Sequence, residues 1–327
     1  MGRRIFGSAL IVVALVCLTP RPAASQDRAG AGREVPPRTQ WGAPDLQGVW
    51  NNNTTTPLER PTEFEGRAVL TDEERQTRDA LAARDPGRDR RAEAGTPADV
   101  SGAYNDFWWE YGRSDGRTSL IVDPPDGRMP ARTPVGEQRA SRRRRTRDLI
   151  PAGPEDRSLY ERCITRGIPV LPGAYNNNFQ IVQTPNHIAI LVEMIHETRV
   201  IPLDGQPHLP SGVRQYLGDS RGHWEGDTLV IETMNFTDRT TFRGSTENLR
   251  LTERLTRVGT DTLHYEITLD DEQAWARPWT ALIPWTRPSM GIRGATTDTM
   301  YEYACHEGNY GMFGILSGAR VEERTER

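Results

Sequence analysis

NLRLTERLTRVGTDTLHYEITLD, residues 248–270, alternates apolar and polar side chains through two runs that meet at VGTD, 258–261. A period of two marks a strand with one buried face, so the stretch reads as a β-hairpin. Leu249, Leu251, Glu253 and Leu255 share one face, which puts a carboxylate on the apolar side. In the second arm Leu263, Tyr265, Ile267 and Leu269 stand opposite Thr262, His264 and Glu266.

The pattern extends both ways. FQIVQTP, HIAILVEMI, TRVIPLDG, HWEGDTLVIETMNF, RPWTALIPW and TMYEYAC are further strand-like runs broken by Gly, Asp, Asn or Pro, with a second hairpin turn at EGD, 225–227. Such a succession, with little helix in it, predicts a mainly β fold with short N-terminal helices: an antiparallel meander closing into a lipocalin-like barrel or a curled sheet, a two-sheet sandwich being the alternative. A barrel of this kind encloses a pocket. The last strand is expected at 299–305, followed by a closing helix or loop in GNYGMFGILSG.

Upstream the composition changes. Residues 1–25 join Arg3 and Arg4 to the apolar GSALIVVALVCL and to Ala23, Ala24 and Ser25, the layout of a cleaved secretory signal peptide. A periplasmic or secreted protein is therefore expected, with no integral membrane segment in the mature chain, since no later run is apolar enough to cross a bilayer. Residues 26–44 read as a flexible leader, 45–155 as an extended arm with short helices and loops wrapping the core, 156–320 as the barrel-like domain and 321–327 as a tail. Within the arm, Thr71 and Glu74 have capping-box spacing, 85–100 reads as a mobile loop and 134–148 as an Arg-rich helix. SLYERCITRG, 158–167, reads as another short helix.

All 41 basic residues are arginine and the chain carries a net charge of −4. The sole basic run, RRRR at 142–145, fits a solvated face better than a nucleic-acid surface. The expected partner is a small-molecule or oligosaccharide substrate; oligomeric state is left open. Cleavage leaves Cys163 and Cys305, and an oxidising compartment favours pairing them, which would carry CHEGNYG against RCITRG.

Proton-transfer groups crowd two short stretches. His187, Glu193 and His196 lie in one, and Tyr301, Tyr303, His306 and Glu307 in the other; these are the candidate catalytic residues. A buried glutamate must be paired, hydrogen-bonded or neutral. For any single one a structural ion pair is the favoured account, and for the ensemble a reactive pocket is. Arg166 and Arg199 are candidates to hold an anion bidentately, and Asn177 and Trp224 to contact substrate. Aromatic residues such as FWWEYG, 107–112, mostly read as core, yet beside the NNN runs at 51–53 and 176–178 they would suit a sugar or phenolic ring.

Three motifs carry less. GDSRG, 218–222, has nucleophile-elbow spacing but is followed by a strand rather than a helix. HETRV lacks the second histidine of a zincin, and CHEG lacks the second cysteine of a haem attachment site. No cofactor is predicted. Six histidines suffice to build a divalent-metal site with carboxylates, although their spacing gives it no support.

In PDLQGVW, GDSRGHWEGDTLV, LTERLTRV, RPWTALIP and YEYACHEGNYG the chain resembles a large set of secreted bacterial proteins, many from soil organisms. The resemblance implies export and a single family unit, and brings no activity or site residues with it. The residues themselves point to an exported enzyme, a lyase or hydrolase acting on a carbohydrate or polyphenol-related compound; the rival is a lipocalin-like binding protein without catalysis.

Overall fold

The computed structural model describes residues 36–84, 93, 96, 110, 112–148, 150–240, 242–288, 300–307 and 309–325. The expected signal peptide, the leader before residue 36, most of the loop 85–100 and the aromatic residues 107–109 and 111 lie outside the described residues. Ten strands are β1 (Gly48–Asn51), β2 (Ile121–Asp123), β3 (Asn178–Gln183), β4 (His187–Val192), β5 (Glu197–Pro202), β6 (Asp219–Glu225), β7 (Thr228–Met234), β8 (Arg250–Gly259), β9 (Thr262–Asp270) and β10 (Trp279–Thr286). The α-helices among the described residues are α1 (Asp72–Ala82), α2 (Pro134–Asp148) and α3 (Tyr310–Thr325). None among the described residues is long and apolar enough to cross a membrane.

Nine strands follow one antiparallel path, β5-β4-β3-β1-β10-β9-β8-β7-β6, curled into a nearly closed barrel; β2 pairs with β10 beside it. The hairpin of 248–270 is β8 and β9, registered Leu251↔Leu269, Glu253↔Ile267 and Leu255↔Tyr265. Two meanders, β3 to β5 and β6 to β10, are joined by β1, which pairs with β3 along its length and with β10 at Asn51↔Thr286. The open seam falls between β5 and β6. There β6 carries Gly222, where a Cβ would sit 2.7 Å from Leu203 Cδ2 and 3.0 Å from Ile201 Cγ2. A missing side chain lets the two ends of the path approach, which is the structural use of the last glycine in GDSRG.

Alternation fills the interior. Phe179, Ile181, Ile188, Ile190, Leu251, Leu255, Tyr265, Ile267, Ile283 and Trp285 are all buried in one apolar core. Trp285 stacks on Phe179 at 4.2 Å between ring centroids and meets Tyr265 in a tilted contact at 4.6 Å. The expected interior pocket shrinks to a cavity of about 20 Å³, room for roughly one water. Large aromatic and branched residues on neighbouring strands occupy the space that a lipocalin-like cup would leave for a ligand.

Glu253 faces this interior and is fully buried. Both its oxygens accept from Arg199 of β5, Nη2 donating to Oε1 at 2.7 Å, and the Tyr265 hydroxyl donates to Oε1 at 2.6 Å. Burial alone would pull the Arg199 guanidinium down, and the Glu253 carboxylate more than offsets it, leaving the group above its ordinary value. At the surface Arg277 pairs with Asp123 at 2.8 Å.

Local expectations divide. The capping box of α1 forms, Thr71 Oγ1 accepting from the Glu74 amide at 3.2 Å and Glu74 Oε2 from the Thr71 amide at 2.8 Å, and α2 covers the predicted 134–148. The predicted strand at 299–305 is a correction. Residues 300–304 have no ladder and a turn begins at Cys305. Both edges of β10, the strand that precedes it, are already taken by β9, β1 and β2, so YEYAC cannot extend the meander as its next strand. A second correction is 158–167, a series of turns rather than a helix. Cys163 adopts φ 55° there, which no right-handed helix accommodates.

Candidate functional site

The two meanders leave one barrel end, where β1 and β4 finish and β3 begins, to be covered by the turns of 158–177 and by residues 300–307 and 309. A disulfide between Cys163 and Cys305, Cα atoms 5.7 Å apart, ties these coverings together across 142 residues. Asn309 reinforces the tie, its Nδ2 donating to Glu161 O at 3.0 Å, and its Oδ1 accepts from the Met312 amide in the first turn of α3.

Beneath lies a buried network built from both NNN runs. Glu110 accepts from Asn51 Nδ2 and Asn177 Nδ2, each at 2.9 Å, and from the Asn177 amide at 3.3 Å. Asn51 Nδ2 also donates to Asn178 Oδ1 at 2.9 Å, and Asn178 Nδ2 donates to Glu193 Oε2 at 2.9 Å. Burial pushes the Glu193 carboxyl above its usual range and the nearby Glu110 charge adds to the effect, against the bonds from Asn178. Two carboxylates are thus joined through asparagine amides.

Above the network stands Arg166. Its Nη1 contacts Met194 Sδ at 3.3 Å and its Nη2 the Leu171 carbonyl at 3.4 Å, both long contacts for a group with five donors. Among the described residues no carboxylate lies within 4.0 Å of it. Burial pulls the guanidinium below its usual value, while Tyr160, Tyr175, Tyr303 and Glu110 pull the other way. The Tyr160 phenol is pushed up to about 12, first by burial and then by its hydrogen bond with Tyr303; it is also hydrogen-bonded to Tyr175. All three phenols and Arg166 are half-buried, so the cluster opens to solvent. At Gly173 a Cβ would stand 2.8 Å from Arg166 Nη2, so any larger residue would displace the guanidinium.

Backbone strain gathers in the same place. Six non-glycine residues are described with positive φ, and four of them, Cys163, Asn176, Ile195 and His196, belong to this end of the barrel. Ile195, at φ 65°, is β-branched, for which that region is a true outlier. Strained residues persist where surrounding structure over-determines them, and functional sites are where they concentrate.

Of the residues singled out from sequence, Arg166, Asn177, Glu193, His196, Tyr303 and His306 come together. His196 Nδ1 lies 2.9 Å from the Tyr303 carbonyl oxygen, and the His196 and His306 rings are 6.5 Å apart. Asn177 is fully buried with its amide spent on Glu110 and Gly173, so it positions rather than touches a ligand. His187 opens β4 and Glu193 follows its far end, which separates them by roughly 20 Å at strand rise. Tyr301 and Glu307 are exposed beyond the cluster. Arg199 is inside the barrel on Glu253, and Trp224 packs part-buried on β6. Ser220 of GDSRG is a buried strand residue whose hydroxyl is 2.9 Å from that of Thr233.

Sequence reasoning missed Tyr160, Tyr175 and Glu110. One signal pointed to the first: Tyr160 precedes Cys163 by three residues and Tyr303 precedes Cys305 by two, so pairing the cysteines brings both phenols together. Among the described residues no group of three or more His, Cys, Asp or Glu is placed to hold a metal ion. Compared with family models, curated proteins and solved structures, the chain finds no match in any of the three.

Proposed function

We propose that the protein is an exported enzyme that moves protons on a polar organic substrate, as a lyase or hydrolase, at the cluster of Arg166, Tyr160, Tyr175 and Tyr303. Export rests on the composition of residues 1–25 and on the resemblance to secreted bacterial proteins. The observation that carries the activity is the Arg166 guanidinium, half-buried, without a carboxylate within 4.0 Å among the described residues and acted on by three nearby phenols. A cation so placed stabilises negative charge as it develops on a substrate. The hydrogen-bonded Tyr160 and Tyr303 pair can deliver a proton and take one back, with His196 and His306 at the rim. A carbohydrate or polyphenol-related compound suits such a surface of phenols and a guanidinium plane.

The test is turnover of a carbohydrate and polyphenol panel by the disulfide-intact protein. Tyr303→Phe and Tyr160→Phe should each lower kcat by about 100-fold or more, with His187→Ala at the far end of β4 leaving it unchanged. Full turnover in both Phe variants would end this reading. Binding without catalysis is the second reading, favoured by the asparagines that engage Glu110 and Glu193. A saturable ligand that stays chemically intact under every condition would establish it instead.

A further inference from the structure

Resting on the reading of this cluster as the functional site, we infer that the group Arg166 receives is a carboxylate, and that the substrate is therefore a hydroxylated ring acid, a sugar acid or a phenolic acid. Three observations narrow the anion. First, the guanidinium spends two of its donors on weak acceptors, a thioether and a carbonyl at 3.4 Å, so a planar fork remains for a ligand with matching geometry. Gly173 keeps that edge clear of a side chain.

Second, charge limits what can approach. The cluster offers one guanidinium, while Glu110 and Glu193 lie in the layer below, close enough for Glu110 to act on both Arg166 and Glu193. A monoanion is balanced by Arg166; a phosphate dianion would bring a second negative charge toward two buried carboxylates in a low-dielectric setting. Third, the phenols of Tyr160, Tyr175 and Tyr303 lie close enough to act on the cation, so aromatic side chains border it. Aromatic faces take the ring that bears a carboxylate.

The experiment measures binding, by calorimetry on the full disulfide-intact protein, for matched pairs differing in the acid alone. D-Galacturonate is compared with D-galactose, 4-hydroxybenzoate with 4-hydroxybenzyl alcohol, and inorganic phosphate serves as the competing anion. One acid should bind about tenfold or more tighter than its neutral partner, and which pair shows it tells sugar acid from phenolic acid. Arg166→Gln should erase the preference, and Arg166→Lys, which keeps charge and loses the fork, should leave an intermediate one. Equal affinity for acid and neutral partner, no binding of either acid, or phosphate binding more tightly than both acids would each overturn the inference, with no variant needed. Loss of turnover in the Phe variants without any acid preference would leave the proton-transfer reading intact and remove the carboxylate; acid binding without turnover would do the reverse.

Discussion

Replacing Glu253 by leucine removes the bidentate partner of Arg199 and leaves it the more distant charge of Glu197, which lines the same cavity. Glu253 is fully buried, and the Arg199 side chain opposite it is only 11% exposed. Without the carboxylate, Arg199 Nη1 keeps only the Ser220 and Thr233 hydroxyls, both at 3.5 Å. Leaving one member of such a pair buried alone costs about 3–5 kcal/mol. The Tyr265 hydroxyl loses a charged acceptor as well, a hydrogen bond of about 1.5–3 kcal/mol that overlaps with the first figure rather than adding to it. Arg199→Met should cost a similar amount from the other side. The double variant Arg199→Met with Glu253→Leu places two apolar side chains of comparable bulk beside Ile190, Val192 and Phe179, which line the same cavity. It should equal the wild type or exceed it by about 1–4 kcal/mol. Urea unfolding followed by tryptophan fluorescence reads all four proteins, since Trp285 lies against Tyr265. Single variants losing less than about 1 kcal/mol, the worth of an exposed pair, would refute the claim that this pair is desolvated. So would a double variant as unstable as both singles combined, because the cost would then lie in shape rather than in charge.

Two further expectations concern the site end. Cys163→Ser frees a loop of 142 residues in the unfolded chain, worth about 5 kcal/mol at most, and should detach Tyr303 from Tyr160. Amide hydrogen exchange should show residues 300–307 and 309 losing protection while β8 and β9 keep theirs, and unchanged protection there would show that these residues hold without their tie. Glu193 titrates above its unfolded value of 4.5 because it is buried, so the native state holds its proton more tightly and this residue's contribution to stability falls as pH rises from 4.5 through the raised value. Glu193→Gln imitates the protonated acid and keeps an oxygen for the Asn178 amide; its unfolding midpoint should decline less than that of the wild type between about pH 4.5 and 8, and parallel profiles would contradict the assigned burial cost.

Much of the barrel was legible because its determinants are local. Alternation with period two places Leu251, Glu253 and Leu255 on one face whatever the neighbours are, and VGTD and EGD turn the chain where they stand. The capping box of α1 needed nothing more than spacing, and the pairing of Cys163 with Cys305 followed from the expectation of an oxidising compartment. Periodicity failed at 300–304, where YEYAC has a strand's pattern but cannot extend the meander, since a ladder requires a free edge and β10 has none.

Which strand closes the two meanders was decided in three dimensions. Four residues, GVWN, are too short to declare themselves, and only the space between β3 and β10 makes them β1. The site is likewise a product of long-range contacts: Glu110 meets Asn51 and Asn177 across 59 and 67 residues, and Tyr303 meets Tyr160 because the disulfide spans 142. Side-chain types and their faces follow from neighbours along the chain. Whether Arg199 or Arg166 lacks a counter-charge follows from which acids the fold happens to carry beside them, and that is a property of the closed barrel alone.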